Sequence, residues 1–413
     1  MVWILYYFIM YLMVAGIRIS AWWNPKSKQW LDGRRGWIEQ LRRVQEKKAT
    51  RVWFHVSSLG EFEQARPVIQ KIKEQQPTVE IILTFYSPSG YQVRANYELA
   101  SVFYLPADLP GVAKKWISLI KPDIAVFVKY DLWPGYLKAI EEKGIPAFLI
   151  SAHWIPGGWF SSWSLPPTRA LLKKFKRIFL QEEEHLHFFK QLGFNNVSVA
   201  GDTRIDRSLE LPSEVSDKIS STLIALGPFD LVAGSTWPPD EKLLVETITS
   251  LNLSVILAPH DVSAPNITRL IKSLPFKIIK LSEIRQGMEK PQILLVDSIG
   301  LLSVLYSQGK MAYVGGGFGS GIHNILEPMA HSKPVLFGPA FKKFPEAVAM
   351  VRQKGAFSIT STSDLKKNIA FLLNISEADK AGQRGFNYLL TRSGATTTVT
   401  NSILESIPYI GVL

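Results

Sequence analysis

The sequence predicts an α/β protein built from two Rossmann-like domains in tandem, and three observations lead there. From residue 51 onward, short β-branched runs alternate with amphipathic helical stretches. Most of these runs are continuously apolar rather than alternating, which means burial on both faces, as in a parallel sheet covered by helices on both sides. The runs also fall into two series of about six, and each such series of βα units builds one doubly wound domain. A chain of 413 residues has room for both, at roughly 100–200 residues per domain.

Residues 1–17, MVWILYYFIMYLMVAGI, carry no charge. At about 1.5 Å per residue they make a helix of about 25 Å, at the lower limit for crossing a hydrocarbon core of ~30 Å. Tyr6, Tyr7, Tyr11, Trp22 and Trp23 suit a headgroup boundary, where a ring keeps one edge wet. Residues 1–23 are therefore expected to form a membrane anchor or an interfacial helix, with a buried core helix as the plainer alternative. A secretory signal would place cations before the apolar run, and none is there. Between Asn24 and Arg51, nine Lys and Arg face three Asp and Glu, which is half of the chain's net charge of +12. Cations flanking an apolar segment stay cytoplasmic. They also attract anionic lipid, by about 1 kcal/mol per residue near the surface. The charge therefore points to an anionic lipid surface and not to nucleic acid, with a solvated helix face as the plain alternative.

The first strand series is read at residues 52–56, 79–85, 124–128, 147–151, 178–181 and 197–200. The second is read at 231–234, 254–258, 277–281, 293–296, 311–314 and 335–337. The strand logic restarts between Gly201 and Pro212, so the expected domains are 24–205 and 206–413. In open α/β sheets, ligands bind beyond the carboxyl ends of the strands, and four loops there carry chemistry. After the first strand come Ser57, Ser58, Leu59, Gly60 and Glu61, with Ala65, Val68, Ile69 and Ile72 following at helical spacing. Glu61 then lies in a first helical turn, where the dipole favours an acid by about 0.3–1 kcal/mol. That is one reading, and a general base aimed into a cleft between the domains is the other. Asp131 and Trp133 follow the strand at 124–128, as ligand contacts or as a charged loop with a packing Trp. Ser235 and Thr236 precede a helix, as phosphate ligands through its free N–H groups or as a plain cap.

The fourth loop has five Gly in the seven residues 315–321, and a helix carrying His323, Asn324 and Glu327 is expected after it. Gly-rich backbone before a helix N-terminus can cradle an anion, and the acid a turn later can bond a ribose diol. The loop lies late in its domain, which argues against a dinucleotide fingerprint. Absences narrow the chemistry. Without Cys there is no thiolate nucleophile or Cys-ligated metal. No Asp-x-Asp, no GxxxxGK[ST] and no His-x-x-x-His pair occurs. His185 and His187 read as a surface helix feature.

Taken in order, FHVSSLGE, DLWP, GDTRID, GST and GGGFGSGIHNILEP followed by KPVLFGP resemble the 3-deoxy-D-manno-octulosonic acid (Kdo) transferases of lipopolysaccharide assembly. The resemblance runs nearly end to end. It implies a GT-B fold, CMP-Kdo as donor, and a lipid A precursor (lipid IVA, a tetraacyldisaccharide bisphosphate) as acceptor. It further implies an inverting transfer without metal or cofactor, at the cytoplasmic face of the inner membrane. Glu61 takes the place of the family's general base. Asp131 takes that of the acid before Trp-Pro, where many members have Glu. On the donor side the resemblance places Ser235, Thr236, Pro259, His260, Gly315, Gly316, Gly317, His323, Asn324 and Glu327. On the acceptor side it places Ser58 and Gly60, to which Arg34 and Arg35 of the basic strip are added. Trp237 stands where the family often has a polar or basic residue. A GT-B enzyme using a UDP-sugar and a non-catalytic, membrane-anchored two-lobed binding protein are the competing readings.

Overall fold

The apolar runs pair into two all-parallel sheets of seven strands each. These are seen in a computed structural model that describes residues 2–42, 49–129, 131–153, 166–214 and 221–407. The first sheet holds β1 (Arg51–Val56), β2 (Glu80–Phe85), β3 (Ser101–Tyr104), β4 (Ile124–Val128), β5 (Ala147–Ala152), β6 (Arg177–Leu180) and β7 (Val197–Val199), in the order β3-β2-β1-β4-β5-β6-β7. The second holds β8 (Phe229–Thr236), β9 (Val255–Pro259), β10 (Ile278–Lys280), β11 (Ile293–Leu295), β12 (Gly309–Val314), β13 (Val335–Phe337) and β14 (Ala356–Ser358), in the order β10-β11-β9-β8-β12-β13-β14.

The expected strands are present, but each series gains one. β3 and β14 were not anticipated, and both lie at a sheet edge with half-exposed residues. An edge strand with one open side does not carry the continuous apolar run that marks a central one. The central β1 shows the opposite pattern. Val52, Phe54 and Val56 pack on one face with Phe62, Val68 and Ile69 of the Leu59–Gln75 helix, while Trp53 packs on the other with Trp116, Phe127 and Tyr136. Each such buried side chain contributes about 1.5–3 kcal/mol.

Strand order decides where a site can form. In each sheet the winding reverses once, between β1 and β4 and between β8 and β12. The crevice beyond the carboxyl ends at such a reversal is where doubly wound sheets bind ligands. Ser57–Glu61 and Asp131 lie at the first reversal; Ser235, Thr236 and Gly315–Gly317 lie at the second.

The chain divides into two compact units, Met1–Arg204 with Ser393–Leu413, and Ile205–Arg392. In the first, the late helix Ala395–Leu404 buries Val399 and Ile403 in the same cluster as Val68 and Ile69. The helix Val2–Ser20 is long and apolar enough to cross a membrane by length and composition. It lies along the first unit: Met10 and Val14 are buried in a cluster with Trp30 and Ala107, and the Tyr6 hydroxyl donates to Asp108 Oδ2 at 2.9 Å. Tyr6, Met13 and Ile17 are half-buried against that cluster, while Ile4, Leu5, Phe8, Ile9 and Leu12 are exposed.

The basic strip is not uniform. Lys26, Lys28, Arg35 and Arg42 are exposed, whereas Arg34 and Arg51 are buried; Arg43, Lys47 and Lys48 lie outside the described residues. Arg51 donates to Glu80 and to the Ile120 carbonyl.

Candidate active site

The first half-site grows out of the end of β1. Ser58 caps the Leu59–Gln75 helix: its Oγ accepts from the Glu61 N–H at 3.4 Å, and Glu61 Oε2 accepts from the Ser58 N–H at 3.1 Å. Glu61 Oε2 also takes the Ser57 N–H. This reciprocal capping box satisfies N–H groups that the first helical turn leaves open. It holds one carboxylate oxygen fast on two backbone N–H groups, and the Glu61 side chain also hydrogen-bonds that of Asp131. Ser57 Oγ donates to Asp131 Oδ1 at 2.6 Å, so the capping loop reaches across to the end of β4.

Behind these two acids sits a buried histidine. His55 is fully enclosed on β1. Its Nε2 accepts from the Trp133 indole N–H at 3.0 Å, and its Nδ1 meets Thr84 Oγ1 at 2.9 Å. An indole N–H can only donate, so His55 Nε2 carries the lone pair and Nδ1 the proton. Burial pushes its pKa down to about 3. His55 is therefore neutral, and its 3.6 Å approach to Asp131 is not an ion pair.

Burial raises the pKa of both acids. Asp131 goes well above the usual carboxylate range, first by burial and then by the charge of Glu61. Burial raises Glu61 too, but the Ser57 and Ser58 N–H groups and Lys129 oppose that shift. Two close carboxyls cannot both ionise cheaply. The one holding two N–H donors keeps the negative charge, so Glu61 is the carboxylate and Asp131 the neutral acid. A carboxylate is thus placed beside a second acid that holds its proton more tightly.

The second half-site joins the ends of β8 and β12. Asp240 ties them together: it accepts from the Trp237 N–H at 2.9 Å, the Gly316 N–H at 3.1 Å and the Tyr313 hydroxyl at 2.7 Å. The Gly315 N–H donates to the Gly234 carbonyl at 2.9 Å. These two loop N–H groups therefore serve the protein's own structure. The glycines have the same logic. A Cβ on Gly315 would collide with the Ser235 carbonyl, and one on Gly317 would come within 2.6 Å of Gly338 Cα. The run thus lets three strand ends close on one another, and Gly316 adds a φ of +89° that favours glycine.

Around the loop lies a cavity of about 340 Å³, lined in part by Trp237, Asp240, Gly316, Phe318, Ser320 and His323. That volume is within the range of small-molecule sites, roughly 300–1,000 Å³. Among the described residues no group of three or more His, Asp and Glu is placed to hold a metal ion.

A model of the family described as 3-deoxy-D-manno-octulosonic-acid transferase (kdotransferase) matches residues 31–207, the stretch that carries Glu61 and Asp131. The 3-deoxy-D-manno-octulosonic acid transferase of Haemophilus influenzae is 26% identical over 361 residues, covering 83% of this chain and 84% of that one. That of Aquifex aeolicus is 27% identical over 350 residues, covering 81% and 89%. Over most of its length the chain is similar to the Kdo transferases. It is a glycosyltransferase of the GT-B class. In fold it is similar to UDP-GlcNAc 2-epimerase from Neisseria meningitidis (TM-score 0.59, 16% identity, 86% of this chain and 99% of that one). It is similar in the same way to MurG from Acinetobacter baumannii (TM-score 0.54, 10% identity, 86% and 100%).

Against this family frame, the expected residues divide. Ser58, Gly60, Glu61 and Asp131 gather at the first reversal point. Ser235, Thr236, Gly315, Gly316, Gly317, His260 and His323 gather at the second, with Pro259 as the buried last residue of β9. Thr236 is buried with its hydroxyl unpartnered, and Ser235 has a left-handed φ of +53°. His323 and Asn324 differ from expectation. They precede the helix, which covers only Leu326–Ala330. Asn324 instead braces its start, accepting from the Leu326 N–H at 3.1 Å and donating to Glu327 Oε1 at 3.0 Å.

Arg34 also departs from its expected acceptor role. Its guanidinium donates to the carbonyls of Leu105, Trp30 and Tyr86 and lies 3.9 Å over the Trp30 ring. Burial lowers its pKa to about 10. It is a structural clamp, while Arg35 beside it is exposed. The reading from sequence missed Ser57, His55 and Asp240. Their roles come from contacts up to 78 residues apart in the chain, which no local pattern reveals.

Proposed function

We propose that this protein moves Kdo from CMP-Kdo to a lipid A precursor, a tetraacyldisaccharide bisphosphate, with inversion at the sugar and without metal. The observation that carries the reading is Glu61: a carboxyl in a first helical turn, held on one oxygen by two backbone N–H groups, beside Asp131, whose pKa burial and the Glu61 charge push well up. An acceptor hydroxyl gives its proton to Glu61 as its oxygen bonds to the anomeric carbon of Kdo. The bond from that carbon to the CMP phosphate breaks, and CMP leaves with the electron pair. Negative charge growing on the leaving phosphate calls for preorganised donors, and the loop end of the second unit, with Ser235, Thr236 and the cavity wall, is where the donor is assigned.

The membrane supplies the acceptor. The exposed apolar residues of Val2–Ser20, with Trp22 and Trp23, suit a helix lying in the interface plane, with exposed Lys26, Lys28, Arg35 and Arg42 beside anionic headgroups. The face intended is the cytoplasmic one of the inner membrane.

Incubation with CMP-Kdo and the lipid A precursor, read by mass spectrometry, is the direct test. A gain of one or more Kdo masses is expected with the wild type. Glu61→Gln should lower the rate by about 10²–10⁴-fold, the usual worth of a general base, while leaving CMP affinity within twofold. Transfer by Glu61→Gln at the wild-type rate overturns the base assignment. A clear preference for UDP over CMP in equilibrium binding overturns the donor.

A further inference from the structure

Three aromatic rings meet beside the cavity of the second unit. Trp237, just after β8, stacks on His260, just after β9, with centroids 4.5 Å apart and planes at 23°. His260 stacks in turn on His323 of the loop after β12, at 4.6 Å and 25°. The Trp237 indole N–H donates to His323 Nε2 at 3.2 Å. Glycine at 316 leaves room for that edge of His323, because a Cβ there would lie 3.0 Å from His323 Cδ2 and 3.3 Å from Nε2.

The direction of that hydrogen bond has a chemical consequence. Indole is a donor only, so His323 Nε2 must present its lone pair, and the ring proton sits on Nδ1. A free neutral imidazole favours the opposite tautomer. Burial lowers the pKa of His323, His260 lowers it further, and Asp240 opposes both, so the ring is neutral near pH 7. Its Nδ1–H has no hydrogen-bond partner among the described residues.

We propose that Trp237 is a positioning residue: it holds His323 as the Nδ1–H tautomer and so offers that N–H to a phosphate oxygen of the bound nucleotide sugar. This rests on the donor reading above for the identity of the ligand, but not for the tautomer. Trp237 is 42% exposed, so replacing it with another ring leaves the fold intact. Trp237→Phe keeps a stacking partner for His260 and removes only the N–H.

Two measurements test it. In nitrogen-15 NMR of the ligand-free protein, wild-type His323 should show an unprotonated Nε2 and a protonated Nδ1. In Trp237→Phe the pattern should shift toward Nε2–H. Titration with CMP should be weakened about fivefold by Trp237→Phe, the scale of one hydrogen bond. Cytidine, which has no phosphate, should bind both proteins alike. A Trp237→Phe protein that keeps the Nδ1–H signature overturns the positioning role, as does an equal loss of CMP and cytidine. A wild type that shows the tautomer yet does not bind CMP overturns the donor reading and leaves the positioning role standing.

Discussion

Glu61 and Asp131 show how two carboxyls acquire different states from their surroundings. Glu61 starts a helix and receives its N–H groups; Asp131 is buried at a strand end with a hydroxyl donor and a charged neighbour. The rate should depend on the ionised form of Glu61, whose pKa is raised. Transfer should therefore fall away on the acid side at a pH above the ordinary glutamate value of about 4.3, as a pH–rate profile would show. Asp131→Asn preserves an oxygen for the Ser57 hydroxyl and the neutral state of the side chain. It should retain activity to within about tenfold, while Asp131→Ala, which leaves Ser57 without its acceptor, should lose more; rates of both variants at one pH decide this. The motif residues were legible in the sequence because a strand, small residues and an acid in the first helical turn form a local pattern. The proton distribution was not, since it depends on a contact between residues 57 and 131.

At the scale of elements, the helix Val2–Ser20 is joined to the first unit through Asp108. Asp108 Oδ2 accepts both the Tyr6 hydroxyl and the Gly135 N–H, and Oδ1 is buried without a partner. Burial raises its pKa to about 6 from 3.8, against the pull of those two donors. The folded chain thus holds this proton more tightly than the unfolded one. The stabilisation is complete below pH 3.8 and is lost as pH rises through about 6, on the order of 2–3 kcal/mol across that window. Asp108→Asn, with an amide oxygen in place of Oδ2, should flatten that slope; urea unfolding at several pH values between 4 and 7 measures it. Central strands were readable from continuous apolar runs. The strands β3 and β14, short and half-exposed at sheet edges, were not. The helix expected to carry His323 and Asn324 is shorter, because Asn324 closes its start with its own side chain.

For the whole molecule, the proposed membrane contact rests on the apolar face of the first helix. Phe8 and Leu12 are exposed on the first helix, while Met10 and Val14 hold it to the protein. Phe8→Glu combined with Leu12→Glu should reduce co-sedimentation with anionic vesicles by tenfold or more, since each substitution removes about 1.5–3 kcal/mol of apolar burial, and should leave CMP binding unchanged. Equal sedimentation of variant and wild type would show that another surface holds the membrane.

The sequence by itself determined the α/β class, two strand series, an apolar leading segment followed by basic residues, and the loops where chemistry gathers, because periodicity and composition are local properties. Only the tertiary structure decided which cations remain available, with Arg34 and Arg51 buried and Arg35 not. It also decided which loop N–H groups serve the protein itself, which carboxyl keeps its proton and which tautomer His323 adopts. Each of those depends on burial and on partners brought together from distant parts of the chain.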